Sequence, residues 1–440
     1  MKTKATINLI GSIGLTKSFK KIFNYFSILT IIFGSTFGTI NTANAAALTL
    51  VENSANGTNG INPNNTAVTL NVAGADTVNV ADFDLTITNV EDSATALIIG
   101  AITGTNDDTD TTPELAIVFD EDNAAVAQLV TVASVAFTAD NDGAGFINID
   151  AGDAAGTSGT ITFTGDVDTG IFGTTRGIMD IDMANSSATT PRLTVEYGGD
   201  VSANTTINQN AELISLTTNG SAAQTWTGII NSNGGDGEGT LNIAGTGGIT
   251  FASAVGKASS GALLLINVDQ AATFDGATEA TNFTVDNDAT FTGAVTANTA
   301  FTVATAGTDV TIAAASSLGT LTATTGTVTA NGLITTVNTV NTAGKIYLNV
   351  AENEMGAGKY TAGDGAELHV GKAFVTTENI FLSDVSAGEG DFNAGSKIYL
   401  PSNLTSGETL KITDAGAFDQ GDASKTAVTT AARIDATLQD

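Results

Sequence analysis

The sequence predicts an all-β, repetitive chain, and three observations carry that expectation. Past residue 46 the composition is dominated by Ala, Thr, Gly, Asn, Asp and Val, with 4 prolines in the whole chain and few of the long side chains that favour helices. Short segments alternate apolar and polar residues, as strands with one buried face do: Val68-Thr69-Leu70-Asn71-Val72, Phe83-Asp84-Leu85-Thr86-Ile87, Ile161-Thr162-Phe163 and Leu193-Thr194-Val195-Glu196-Tyr197. In the second half such clusters return at a drifting interval. Ile266 is answered by Phe283, Phe283-Thr284-Val285 by Phe301-Thr302-Val303, and Ala272-Thr273-Phe274 by Ala289-Thr290-Phe291, each after roughly 18 residues, whereas Leu241 to Ile266 takes roughly 25.

The chain opens on a different pattern. Lys2, Lys4, Lys17, Lys20 and Lys21 precede an apolar run from Tyr25 to Ile40, and Ala43-Asn44-Ala45 offers small residues where a signal peptidase cuts before Ala46. The run is interrupted by Ser27, Thr30, Gly34, Ser35, Thr36 and Gly38 and falls short of the roughly 20 apolar residues of a membrane span. Residues 1–45 therefore read as a signal peptide, and the remainder as an exported protein.

Within the exported part, residues 46–200 form an irregular β-rich region, for which a β-helix and a β-sandwich are equally open. Residues 201–344 carry the solenoid repeats. Leu241-Asn242-Ile243 is followed eight residues on by Ile249-Thr250-Phe251, and Phe283 eight on by Phe291, so each unit supplies two strand-like clusters. A unit of about 18 residues cannot bury its own apolar face, and stacked coils can. Stacking at about 4.8 Å would turn roughly 20 coils into a rod on the order of 100 Å long. Residues 345–440 continue the pattern through Ile346-Tyr347-Leu348, Ile380-Phe381-Leu382 and Ile398-Tyr399-Leu400. Asn106-Asp107-Asp108-Thr109-Asp110, Asp120-Glu121-Asp122-Asn123 and Asn231-Ser232-Asn233-Gly234-Gly235-Asp236-Gly237 read as exposed turns or breaks.

Charge narrows the function classes. The formal net charge is −31, and residues 1–45 hold 5 of the 15 basic residues and none of the 46 acidic ones, which leaves −36 after cleavage. Such a surface repels phosphate backbones and anionic lipid and favours cationic partners and divalent ions. There is no cysteine, so disulfides, thiolate metal sites and cysteine nucleophiles are excluded. The chain left after cleavage is long enough to bury a core without them.

Chemistry-bearing residues are sparse. His369, in Glu367-Leu368-His369-Val370, is the only histidine, and alternation makes it one member of a strand. Arg176, Arg192 and Arg433 are the only arginines, which leaves few bidentate clamps for phosphate or uronate. The acidic pair Asp107 and Asp108 reads as solvated loop in place of a glycosidase dyad, and the chain is read as non-enzymatic. Calcium is the better chemical hypothesis, because hard oxygen ligands in a turn suit that ion. Asp140-Asn141-Asp142-Gly143 places two carboxylates, an amide and a turn glycine in succession, with Asp150 and Asp153 downstream. Asp140, Asn141, Asp142 and Asp150 are the calcium candidates.

The leader ending at Ala43-Asn44-Ala45, the absence of cysteine, and strands such as Asn282-Phe283-Thr284-Val285 and Ala300-Phe301-Thr302-Val303 resemble the passenger regions of bacterial autotransporters of the rickettsial surface-antigen type. That resemblance implies a scaffold displayed outside the outer membrane for adhesion or shielding. Its partners would be host or neighbouring cell-surface molecules, with no nucleic acid. An autotransporter also carries a membrane barrel of strands alternating outward apolar and inward polar residues, a pattern that Ala431 to Asp440 does not show. Membrane attachment is thus expected only through a region outside this chain. A self-associating surface-layer protein, similarly acidic and Thr/Asn-rich, is the alternative, and a glycan-active β-helix enzyme the third reading.

Overall fold

A computed structural model describes residues 48–49, 58–61, 77–81, 84–89, 97–105, 115–119, 128–139, 144–150, 159–182, 193–208, 214–233, 237–256, 261–349, 360–362, 366–370, 380–381, 391–392, 397–399 and 410–411. The proposed leader, the turns at 106–110 and 120–123, and the alternating segment 68–72 lie outside them. Among the described residues there are 37 strands and no helix. The all-β expectation holds.

The strands form a parallel β-helix. Along the chain one coil lays down three segments, which pair with their counterparts in the coils before and after. One coil consists of Leu193–Tyr197, Val201–Ser202 and Asn204–Asn208; the next supplies Ile214–Thr218, Gln224–Trp226 and Ile230–Ser232 in the same order. All three pairings are parallel. From residue 278 onward the third segment of one coil runs into the first segment of the next as one long strand, as in Thr278–Val285 and Val295–Val303, with a bulge where the two meet.

Parallel pairing also governs the described strands before residue 201, apart from the short antiparallel pair Ile171–Phe172 and Thr175–Arg176. Leu97–Thr105 pairs with Gln128–Thr138, whose two ends pair onward with Gly159–Phe163 and Val167–Asp168. The ladders continue across residue 200, as Gly159–Phe163 pairs with Leu193–Tyr197 and Val167–Asp168 with Val201–Ser202. The sandwich alternative for this region is thereby set aside, since that fold is built from antiparallel hairpins. Coils here are longer, as the reach from Phe163 to its register partner Tyr197 shows, and their length hides any period.

Registers in the regular part follow the sequence repeats: Ile266 faces Phe283, Phe283 faces Phe301, and Ala272-Thr273-Phe274 faces Ala289-Thr290-Phe291. Near the end the spacing sets Ile380 two repeats after Ile346 and one before Ile398, and the pairing departs from it. Ile346 faces Leu368, and Leu368 faces Ile398, while Ile380 pairs with Leu410 in a separate two-stranded sheet. Leu368, lying between Ile346 and Ile398, takes the place in this ladder that the spacing gives to Ile380.

Alternation sends every second side chain inward. The core contains an aromatic column of Phe163, Tyr197, Trp226, Phe251, Phe274 and Phe291, with successive ring centroids 5.6, 4.9, 6.1, 4.9 and 4.7 Å apart. Beside it Phe283 and Phe301 pack with centroids 5.2 Å apart and planes tilted by 33°. These contacts add about 0.5–1.5 kcal/mol per pair to the burial of the rings. Corners are held by polar side chains reaching between coils. Asp166 accepts the backbone N–H of Asp200 at 2.9 Å, and Asp200 accepts that of Thr225 at 2.7 Å. Buried Gln224 donates to the carbonyls of Tyr197 and Gly199 and accepts from the N–H of Gly220.

At one corner the backbones of successive coils touch. A Cβ on Gly293 would lie 2.2 Å from the carbonyl oxygen of Gly276, which only glycine permits. Gly293→Ala should therefore lower the urea midpoint although it adds only one methyl group. Phe274→Ala, which opens the aromatic column, should cost about 3–5 kcal/mol. The same denaturation curves check both, with an exposed change such as Thr290→Ala expected to stay within about 0.5 kcal/mol.

Candidate functional site

The outward surface of the third ladder holds the most unusual grouping among the described residues. It is built from Phe146–Asp150, Ile178–Asp182 and Asn204–Asn208, paired in parallel in that order. In each strand the second and fourth residues are buried: Ile147 and Ile149, Met179 and Ile181, Thr205 and Ile207. The first, third and fifth therefore face out. Phe146, Ile178 and Asn204 form one row, Asn148, Asp180 and Thr206 the next, and Asp150, Asp182 and Asn208 the last.

Asp150 and Asp182 thus sit on adjacent rungs, with backbones about 4.8 Å apart. Burial pushes the carboxyl pKa of Asp182 up; the Asn208 side chain offsets part of this, and the charges of Asp180 and Asp150 add to it. Burial likewise raises Asp180, against hydrogen bonds from Thr206 and Asn208. Both carboxylates are half-buried, and no basic side chain contributes to either shift. The side-chain oxygen of Asn148, in register with Asp180 on the neighbouring strand, is buried with no hydrogen-bond partner in the protein.

Immediately before Ile178 the chain leaves the coil in a small antiparallel hairpin, Ile171–Phe172 against Thr175–Arg176. Its stem is closed by a hydrogen bond from the Gly177 N–H to the Gly170 carbonyl at 3.1 Å. Gly170 has φ +77°, and a Cβ on Gly177 would lie 2.3 Å from the Gly145 carbonyl oxygen, so both positions demand glycine. The next coil anchors the hairpin: the Asn204 amide donates to the Arg176 carbonyl at 3.1 Å, and the Arg176 guanidinium donates to the Ser202 hydroxyl. Ile171, Phe172 and Ile178 remain 51%, 43% and 46% exposed, among the few large apolar side chains left to solvent.

Of the calcium candidates, Asp150 belongs to this surface, whereas Asp140, Asn141 and Asp142 lie outside the described residues, as does Asp153. No group of three or more His, Cys, Asp or Glu side chains among the described residues is arranged to hold a metal ion. His369 occupies a strand position, in register with Tyr347 before it and Tyr399 after it. Asp180, Asp182 and the hairpin are absent from the expectations drawn from sequence. A signal for the first two was present, because Phe146-Ile147-Asn148-Ile149-Asp150 and Ile178-Met179-Asp180-Ile181-Asp182 share one pattern of apolar and polar positions, each ending on aspartate. No protein-family model matches the chain, and neither the curated proteins nor the solved structures yield a match.

A carboxyl with a raised pKa binds its proton more tightly in the folded than in the unfolded state. Stability accordingly falls as pH rises from the ordinary carboxylate value through the raised one, and the penalty persists at neutral pH. Asp182→Asn should therefore raise the urea midpoint at pH 7, with the gain shrinking towards zero below about pH 4. A constant difference across that range would show that charge is not its source.

Proposed function

We propose that this chain is a non-enzymatic, exported cell-surface protein whose β-helix is a scaffold for adhesion or shielding, of the kind autotransporter passengers provide. The observation that carries this reading is the uninterrupted parallel stacking of coils, with small polar residues ranked on the outside. Thr225, Thr250, Thr273, Thr290, Thr311 and Thr329 occupy one outward column on six successive coils. Such a body contacts partners through extended rows and corner loops. The basic leader and the Ala43-Asn44-Ala45 tripeptide supply the export signal, and the acidic balance accords with solubility outside the cell.

Protease shaving of intact cells, combined with mass spectrometry of the protein in washed envelopes, tests the reading. We expect an N-terminus at Ala46 and release of peptides from unbroken cells. An intact Met1 with recovery only from the cytosol would refute export. Release of whole, soluble subunits on calcium chelation would move the assignment to the surface-layer alternative.

A further inference from the structure

We propose that the hairpin Ile171–Arg176 and the outward rows at its foot form a docking surface for a cationic, amphipathic protein segment, one presenting an apolar side chain beside lysine or arginine. The hairpin supplies the apolar half. Ile171 and Phe172 are exposed on an arm held by Gly170, Gly177 and the Arg176–Ser202 contact, so their presentation costs a partner little ordering entropy. A Cβ at the tip residue Gly173 would meet nothing within 4 Å, which leaves the approach open. Ile178 continues the apolar area onto the coil, in register with Phe146.

The second half of the surface fixes the partner's charge. Asp180 and Asp182 follow Ile178 on the same outward side of one strand, about 7 and 14 Å along it. An extended segment with an apolar residue over Ile178 and basic residues two and four positions on would match these intervals. The only basic side chain on the hairpin, Arg176, is engaged with Ser202. Negative charge therefore meets an incoming cation with no competing cationic partner for Asp180 or Asp182 among the described residues. An anionic membrane, which could accept an Ile-Phe tip, is repelled by the same carboxylates and by the net charge. This inference rests on the scaffold reading only for the surface being accessible; its test uses purified protein, so its failure leaves export untouched.

The probe is a synthetic peptide with leucine at one position and lysine two and four positions on, serine filling the intervening positions, compared with oligolysine of equal charge by fluorescence anisotropy at physiological salt. The expected results are at least about tenfold tighter binding of the amphipathic peptide, and about tenfold weakening by either Ile171→Ser with Phe172→Ser or Asp180→Asn with Asp182→Asn. The charge-matched pair Asp275→Asn with Asp309→Asn, elsewhere on the solenoid, should leave affinity within about twofold. Equal binding of the two peptides, or equal loss in the remote pair, would mean unspecific attraction to an acidic protein and would overturn the proposal. So would retention of affinity without the apolar tip, or partition of the protein into phosphatidylcholine vesicles through Ile171 and Phe172 in preference to peptide binding.

Discussion

Everything in this protein depends on parallel backbone hydrogen bonding between one coil and the next. Because each strand takes its place from the strand before it, a residue's height and facing are inherited, and like side chains accumulate in columns. The aromatic column from Phe163 to Phe291 is one product of that inheritance, and the outward threonines are another. The constraint also governs the corners, where a coil as short as Ala272 to Ala289 and one as long as Gln224 to Ile249 stack in the same ladder. What cannot vary there is the close approach of backbones, which reserves positions such as Gly293 for a residue with no side chain.

The fold was legible where coils are short and repeat their inward residues. Phe283 and Phe301, or Ala272 and Ala289, announce their pairing because near-identical residues return within one coil length. Legibility faded in the first half for a physical reason: between the register partners Val132 and Phe163 the chain makes a long excursion, and such excursions dilute the interval. The spacing of Ile380 from Ile398 misled because an apolar residue one repeat away need not belong to the same ladder. The carboxylate rows were harder still to see. Aspartates in loops and aspartates on the outer side of a strand look alike in composition, and only the pairing of Asp150 with Asp182 separates them.

That pairing divides the negative charge into two kinds. Corner aspartates such as Asp166, Asp200 and Asp288 are committed to backbone N–H groups of the following coil, where they replace hydrogen bonds that a turn would otherwise leave unmade. The carboxylates of Asp180 and Asp182 have amide and hydroxyl side chains and other carboxylates for company, and they destabilise their own coil to the extent that burial, and for Asp182 like charge, opposes their ionisation. An isolated cost of this sort stands out against a scaffold whose other polar groups are mostly absorbed by its own backbone, and it lies beside the one arm that leaves the solenoid among the described residues.

The direction of the ladder hydrogen bonds has a mechanical consequence. They point along the stacking direction, so tension in that direction loads one row of them at a time, from whichever end is held. Each regular coil that parts frees on the order of 20 residues, or about 70 Å of extended chain, before the next row bears load. Under a pull the solenoid would behave as a series of small fuses that yield in sequence, lengthening in steps while the coils still stacked keep their outward columns intact.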